Sequence, residues 1–143
     1  MIVGAVNKFR EAVVRLAVGG PGGQHHEIEA VIDTGFTGSL SIPSAIITLL
    51  NLPFRRRGRA VLADGSETIF DVYEATITWD GHPHRVAVDA AETDPLVGMS
   101  LLNSYRLTVE VISGGRVLIG NQGYHCCPTL KGLWPASVGF TIR

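Results

Sequence analysis

The sequence predicts an all-β protein, a barrel or sandwich carrying one or two short helices. Three observations point there. Apolar residues recur in short alternating or fully apolar runs rather than at helical spacing. Turn signals interrupt those runs at close intervals, at Asp64-Gly65, Asp80-Gly81 and Gly114-Gly115 among others. The 143 residues are 45% hydrophobic and 17% charged, with 17 glycines and 7 prolines, which describes one globular domain rich in turns. A chain of this length buries about two thirds of its unfolded surface, enough for a core without staples.

Taken in order, "AVVRLAV" (12–18) reads as a strand and "GGPGGQHH" (19–26) as a hairpin loop. "EIEAVID" (27–33) alternates and then turns fully apolar, as a strand does when it passes from half-buried to buried. "SLSIP" is a short extended piece. "SAIITLLN" has helical spacing, with Ser44 placed as its cap and Asn51 as its end. "GRAVLA" and "ETIFDVYEATITW" flank "ADGS", where Asp64-Gly65 signals a two-residue hairpin. A second Asp-Gly, at 80–81, precedes "HRVAVDA", and Trp79 before it reads as strand packing. "DPLVGMSLLNSY" contains a turn of helix. "RLTVEVI", the Gly114-Gly115 turn and "RVLIG" close the pattern. From Asn121 to Arg143 no clear period remains, so the expected division is a domain over 1–120 and an extension over 121–143.

Composition removes several function classes. A net charge of −1 provides no field for nucleic acid. The only two cysteines, Cys126 and Cys127, are neighbours, which excludes a stapled secreted scaffold and lacks zinc-site spacing. "MIVGAVNKFREAVVRL" meets polar residues too early for a signal core, and no apolar run is long enough to span a bilayer, so the expected location is cytoplasmic, without membrane contact.

The chemistry lies in "VIDTGFTGSL" (31–40). A carboxylate at the end of a buried strand is costly unless it is satisfied or used. Hydroxyls and backbone N–H groups of the following loop can hydrogen-bond Asp33, and Gly35 admits backbone angles that other residues do not. One acid cannot act both as base and as proton donor in amide hydrolysis; two sharing a proton can. Like charges about 4 Å apart repel by roughly 4 kcal/mol at an effective dielectric near 20, which separates their proton affinities by about three pKa units. The protons then belong to the pair.

"VIDTGFTGSL" resembles the active-site loop of the retroviral-type (retropepsin-like) aspartic proteases, in particular their small prokaryotic single-domain group. That class is itself the standard instance of the shared-proton effect. "VLADGSET" stands where the flap hairpin occurs in those proteins, "PLVGMSLL" is similar to their apolar-apolar-Gly motif, and "RLTVEVISGGRVLI" to their closing hairpin. The resemblance implies a closed barrel-like acid-protease fold, one lobe per chain, with Asp33 as the catalytic acid. It implies a second Asp33 from an isologous two-fold partner, since no second Asp-Thr-Gly or Asp-Ser-Gly occurs. It also implies a threonine, Thr34, that bonds across the dimer, and a flap tip of Ala63, Asp64, Gly65 and Ser66 closing over an extended peptide. Leu96, Val97 and Gly98 would support the loop from beneath. No metal or organic cofactor is implied. The chain departs from the pattern at Phe36: related proteases carry a small residue there, in some a serine bonded to the acid. Phenylalanine cannot make that bond, and Thr37 is the candidate to replace it.

Plainer readings stand beside these. Asp33-Thr34-Gly35 is also a sequence for a turn closing a strand, and "ADGS" for an ordinary hairpin tip. "RRRGR" (55–59) reads as a solvated stretch with a leaning towards acidic peptides. His25-His26 and His82-Pro83-His84 are expected in exposed loops, with no metal role. Trp134 is a candidate tail anchor or dimer contact. Two other functions compete with a homodimeric endopeptidase: a non-catalytic dimeric peptide-binding or assembly module of the same fold, and an unrelated β-barrel binding domain.

Overall fold

Strand lengths in this protein decide its shape. The structure, a computed structural model, describes residues 1–122; the expectations for Cys126, Cys127 and Trp134 fall outside them. Ten strands and two short helices follow one another: β1 (Ile2–Val6), β2 (Ala12–Gly19), β3 (His25–Ile32), β4 (Leu40–Ile42), α1 (Ser44–Leu49), β5 (Phe54–Val61), β6 (Glu67–Trp79), β7 (His82–Ala90), β8 (Leu96–Val97), α2 (Met99–Leu102), β9 (Tyr105–Val109) and β10 (Arg116–Asn121). The expected all-β class with two small helices is what the chain adopts.

All ten strands belong to one sheet in the order β5-β6-β7-β4-β8-β3-β2-β1-β10-β9, and a further pairing joins β6 to β2. That pairing, Val18 with Ile77 and Gly19 with Thr76, bends part of the sheet into a ring of β6, β7, β4, β8, β3 and β2. The thirteen residues of β6 serve two neighbours. Its first half, Glu67–Tyr73, pairs with β5, and its second, Val72–Trp79, with β7. The β5–β6 hairpin therefore extends beyond the ring, exposed over most of its length.

Inside the ring the pleat places one face of each strand in the core. Val14, Leu16 and Val18 of β2 are buried with Ile28 and Ala30 of β3, Leu40 and Ile42 of β4, Ile77 and Trp79 of β6, and Val88 of β7. Trp79 meets the Tyr105 ring edge-on at 5.9 Å, the strand packing expected of it. Leu40 is fully buried in a strand of three residues held between Val88 and Val97. Truncating it removes a buried apolar side chain where β4 joins β7 and β8. Leu40→Ala is expected to cost about 2–5 kcal/mol, read as a lower urea midpoint at unchanged slope.

Several boundaries differ from expectation. β1 was not anticipated; it lies between β10 and β2. Strand pairing absorbs His25-His26 into β3 and His82-Pro83-His84 into β7, because backbone register with a long partner continues past the residues whose side chains suggest a loop. "RLTVEVI" leaves the strand after Val109, where Glu110 begins a turn closed by the Gly115 N–H donating to the Ile112 carbonyl. Pro43, not Ser44, caps α1; Ser44 instead donates its hydroxyl and N–H to the Glu92 carboxylate. Asn51 does end the helix, in a left-handed conformation at φ 50°.

The two Asp-Gly turns are different turns. Asp80 and Gly81 both have positive φ, 51° and 80°, as a two-residue hairpin with a primed turn requires. At Asp64-Gly65 only the glycine does, at 83°. There Leu62 N–H donates to the Ser66 carbonyl (2.7 Å) and Gly65 N–H to the Leu62 carbonyl (2.9 Å). This is a three-residue loop, not the two-residue one expected, and the β2–β3 loop from Gly20 to Gln24 repeats it with Gly23 in the glycine position.

Candidate functional site

The path of the chain around β8 builds the site. β3 runs parallel to β8, pairing Val31 with Leu96 and Ile32 with Val97. The chain then leaves β3, loops over the end of β8, and returns on its other side as β4, antiparallel to it. Residues 33–39 form that loop, so Asp33 stands where the half-buried β3 meets the surface, with Thr34 and Gly35 exposed beyond it.

Backbone bonds hold the loop to the segment beneath. Asp33 N–H donates to the Val97 carbonyl (2.9 Å), Gly98 N–H to Ser39 (3.0 Å), Met99 N–H to Phe36 (2.8 Å) and Ser100 N–H to Gly38 (3.1 Å). The Ser100 hydroxyl adds a bond to the Thr37 carbonyl (2.5 Å). Gly98 is the tight point: a Cβ there would overlap the Gly38 carbonyl oxygen and lie 2.7 Å from that of Phe36. Leu96, Val97 and Gly98 are thus in direct contact with the loop from below.

Asp33 is half-buried, and its Oδ1 accepts the Gly35 N–H at 2.9 Å. Phe36 N–H donates to the Asp33 carbonyl (3.1 Å), so a tight turn fixes the acid at its first position. Thr37 does not take over the bond that Phe36 cannot make; among the described residues its hydroxyl is not a partner of Asp33. The Phe36 ring instead folds back over Gly38 of the loop and Gly98 beneath it. A Cβ on Gly38 would lie 2.5 Å from its Cζ, and one on Gly98 2.6 Å from its Cδ1. The ring occupies space that small residues leave open, which is how the loop accommodates an aromatic there.

A groove of about 940 Å³ runs from this loop to the β5–β6 hairpin. Gly35, Phe36 and Thr37 line one side, and Val61, Thr68 and Ile69 the other. At the hairpin tip Asp64 accepts both the Ser66 hydroxyl (2.5 Å) and the Ser66 N–H (2.9 Å), which hold its exposed carboxyl below the usual range. Ala63, Asp64, Gly65 and Ser66 thus form a self-bonded tip, and Val61, Leu62 and Ile69 beside it are exposed.

The arginine stretch lies on β5 with all four arginines exposed, a solvated stretch as expected. Three of its members are committed to acids of β6: Arg55 to Glu74, Arg57 to Asp71 (3.7 Å) and Arg59 to Glu67 (3.5 Å). The exposed Arg57 and Arg59 pairs are worth about 0–1 kcal/mol each, while Glu74 is largely covered and also binds Arg85. Arg56 forms none of them and lines the groove opposite Asp89 of β7. Burial raises the Asp89 carboxyl above the ordinary value, and the Arg56 charge pulls it part of the way back. Asp89 was missed in the sequence because its neighbours in "HRVAVDA" read only as a strand. Among the described residues no three His, Cys, Asp or Glu side chains are grouped to hold a metal ion, and no helix is long and apolar enough to cross a membrane.

No family model matches the chain, and no curated protein does. Among solved structures it is similar to the solution structure of a simian foamy virus (mac) protease, at 22% identity over 62% of this chain and 90% of that one, with a TM-score of 0.44. It is similar also to the crystal structure of a retropepsin-like aspartic protease from Rickettsia conorii, at 13% identity over 83% of this chain and 90% of that one, with a TM-score of 0.49.

Proposed function

We propose that two copies of this chain form a two-fold homodimer that hydrolyses peptide bonds as an aspartic endopeptidase of retroviral type. The observation that carries this reading is the position of Asp33: at the end of β3, in a loop fastened to β8 and α2, beside a groove bounded by a projecting hairpin. A rigid loop presenting one acid at an open surface is suited to meet its own copy across a two-fold axis. Thr34 and Gly35, exposed at the tip, would form the contact between loops.

In the proposed reaction Asp33 and the partner's Asp33 hold one proton and one water between them. The ionised carboxylate removes a proton from the water as its oxygen attacks the scissile carbonyl carbon. The protonated carboxyl gives its proton to the carbonyl oxygen, leaving a neutral diol. Collapse of the diol breaks the C–N bond as one diol hydroxyl returns its proton to the ionised carboxylate and the nitrogen takes the proton held by the other, so the products are a carboxylic acid and an amine and the pair again holds one proton. The peptide lies extended in the groove, with the tip around Asp64 and Gly65 closing on it.

A dimer-dependent site makes activity a function of concentration. Specific activity on an unfolded protein or peptide should rise with enzyme concentration and level off as dimer saturates, at the concentration where sedimentation detects dimer. Activity that stays constant down to concentrations at which only monomer sediments would refute the shared site. A second reading, a dimeric module that binds peptides without cutting them, draws on Asp33 having a single described side-chain partner, the Gly35 N–H, as an ordinary turn would. Peptide binding without cleavage between pH 3 and pH 7 would favour it.

A further inference from the structure

Strand register brings together two charged residues far apart in the chain. Arg56 pairs with Val72 across β5–β6, Val72 with Asp89 across β6–β7, Asp89 with Ser41 across β7–β4, and Ser41 with Leu96 across β4–β8. Directly opposed residues point to the same face of a sheet, so these five form one row. Four of them, Arg56, Asp89, Ser41 and Leu96, line the groove. Val72 is buried between the two charged residues without belonging to the main apolar core.

The row has an unusual electrical arrangement. The β-bulge between Phe54 and Arg56 shifts the register of β5 on β6, and among the described residues Arg56 is the one of the four neighbouring arginines without an ion pair. Asp89 lies across from it, close enough to feel its charge and beyond ion-pair distance. Neither side chain makes a hydrogen bond to a described residue. Beside them Ser41, the one buried polar residue among those described, has its hydroxyl likewise without a hydrogen-bond partner there. The groove thus offers a guanidinium donor at its exposed edge and a half-buried carboxylate acceptor facing it across a gap, with the buried Ser41 hydroxyl adjacent.

We propose that Arg56 and Asp89, with Ser41, form a substrate subsite that selects a primary carboxamide, the side chain of glutamine or asparagine. Such a group carries an acceptor and a donor on one carbon: its oxygen accepts from Arg56 while its NH₂ donates to Asp89. A glutamate satisfies Arg56 and is repelled by Asp89; a lysine does the reverse. An aliphatic side chain leaves both charges desolvated and unpaired, the most costly outcome. The subsite deepens the peptidase reading and rests on it only in so far as the groove receives a peptide.

The test uses peptide libraries in which glutamine, glutamate, lysine or norleucine is fixed at each position in turn. Cleavage is followed with the wild-type protein and binding with the Asp33→Asn protein. One position should favour glutamine over glutamate, lysine and norleucine by about tenfold in either readout, and a preference for norleucine at every position would overturn the subsite. Asp89→Asn should move that preference towards glutamate, and Arg56→Met towards lysine, with thermal unfolding reporting that both variants fold. Preference for glutamate in the wild-type protein, preference for lysine, or no discrimination at any position would each overturn the subsite, while cleavage itself would leave the peptidase reading standing. Glutamine-selective binding without any cleavage would keep the subsite and remove the peptidase; absence of both binding and cleavage would remove both.

Discussion

Asp33→Asn is expected to lower peptide cleavage by at least roughly 10²–10⁴-fold while leaving the fold and the dimer in place. The substitution is nearly isosteric, and the asparagine oxygen can still accept the Gly35 N–H that Oδ1 accepts now. The loop's attachment to β8 and α2 runs through backbone groups and the Ser100 hydroxyl, none of which the change touches. What disappears is the capacity to exchange a proton with water, the one thing the proposed reaction asks of this residue. A site shared between two copies, as proposed, sharpens the test. In mixtures of wild-type and Asp33→Asn chains that exchange freely, a heterodimer holds one acid and does not turn over. Activity should then fall as the square of the wild-type fraction, to about a quarter in an equal mixture. A linear fall would mean that each chain works alone, and a variant as active as wild type would mean that Asp33 is not the catalyst. Circular dichroism and sedimentation of the pure variant separate lost chemistry from lost structure.

The parts of this protein that were legible in its sequence are those where side-chain pattern and backbone constraint coincide. Val14, Leu16 and Val18 alternate because one face of β2 is buried, and Asp80-Gly81 turns the chain because both residues tolerate positive φ. Asp33 stood out because an acid after Ala30, Val31 and Ile32 needs a reason to be there. β1 was hidden by Gly4 and by the half-exposed alternation around it; its pairing with β10 is a long-range fact, with Gly4 so close to β2 that a Cβ would overlap the Val13 carbonyl oxygen. The Asp64-Gly65 loop misled because the same dipeptide serves both turn types, and only the backbone conformation of the aspartate distinguishes them. Arg56 and Asp89 were invisible as a pair, since their meeting depends on the register of two strand pairings and on one bulge. Phe36 read as a departure from pattern, and only the position of its ring over Gly38 and Gly98 gives it a packing role.

Gly98→Ala should damage function far more than stability, because the added carbon strikes the floor of the loop that carries the acid. Gly98 has φ −105°, a conformation open to alanine, so the penalty is purely one of space. A methyl there would overlap the Gly38 carbonyl oxygen and press on the Phe36 carbonyl and ring. Relief requires the loop to lift from β8, which stretches the bonds from Gly98, Met99 and Ser100 to Ser39, Phe36 and Gly38. Overpacking of this kind costs about 1–3 kcal/mol, enough to lower the melting temperature but not to unfold an ordinary domain. A displacement of about 1 Å at Asp33, by contrast, can cost on the order of 10²-fold in rate, and in the proposed dimer both loops would be displaced. Gly115→Ala supplies the comparison. Its Cβ would overlap the Glu110 carbonyl oxygen in the β9–β10 turn, so it should destabilise by a similar amount through a clash that leaves the Asp33 loop untouched. If both variants lose activity only in proportion to the protein they leave unfolded, Gly98 is a packing position and nothing more. If Gly98→Ala is folded, dimeric and slow while Gly115→Ala is folded and fast, the floor beneath the loop sets the geometry of the acid.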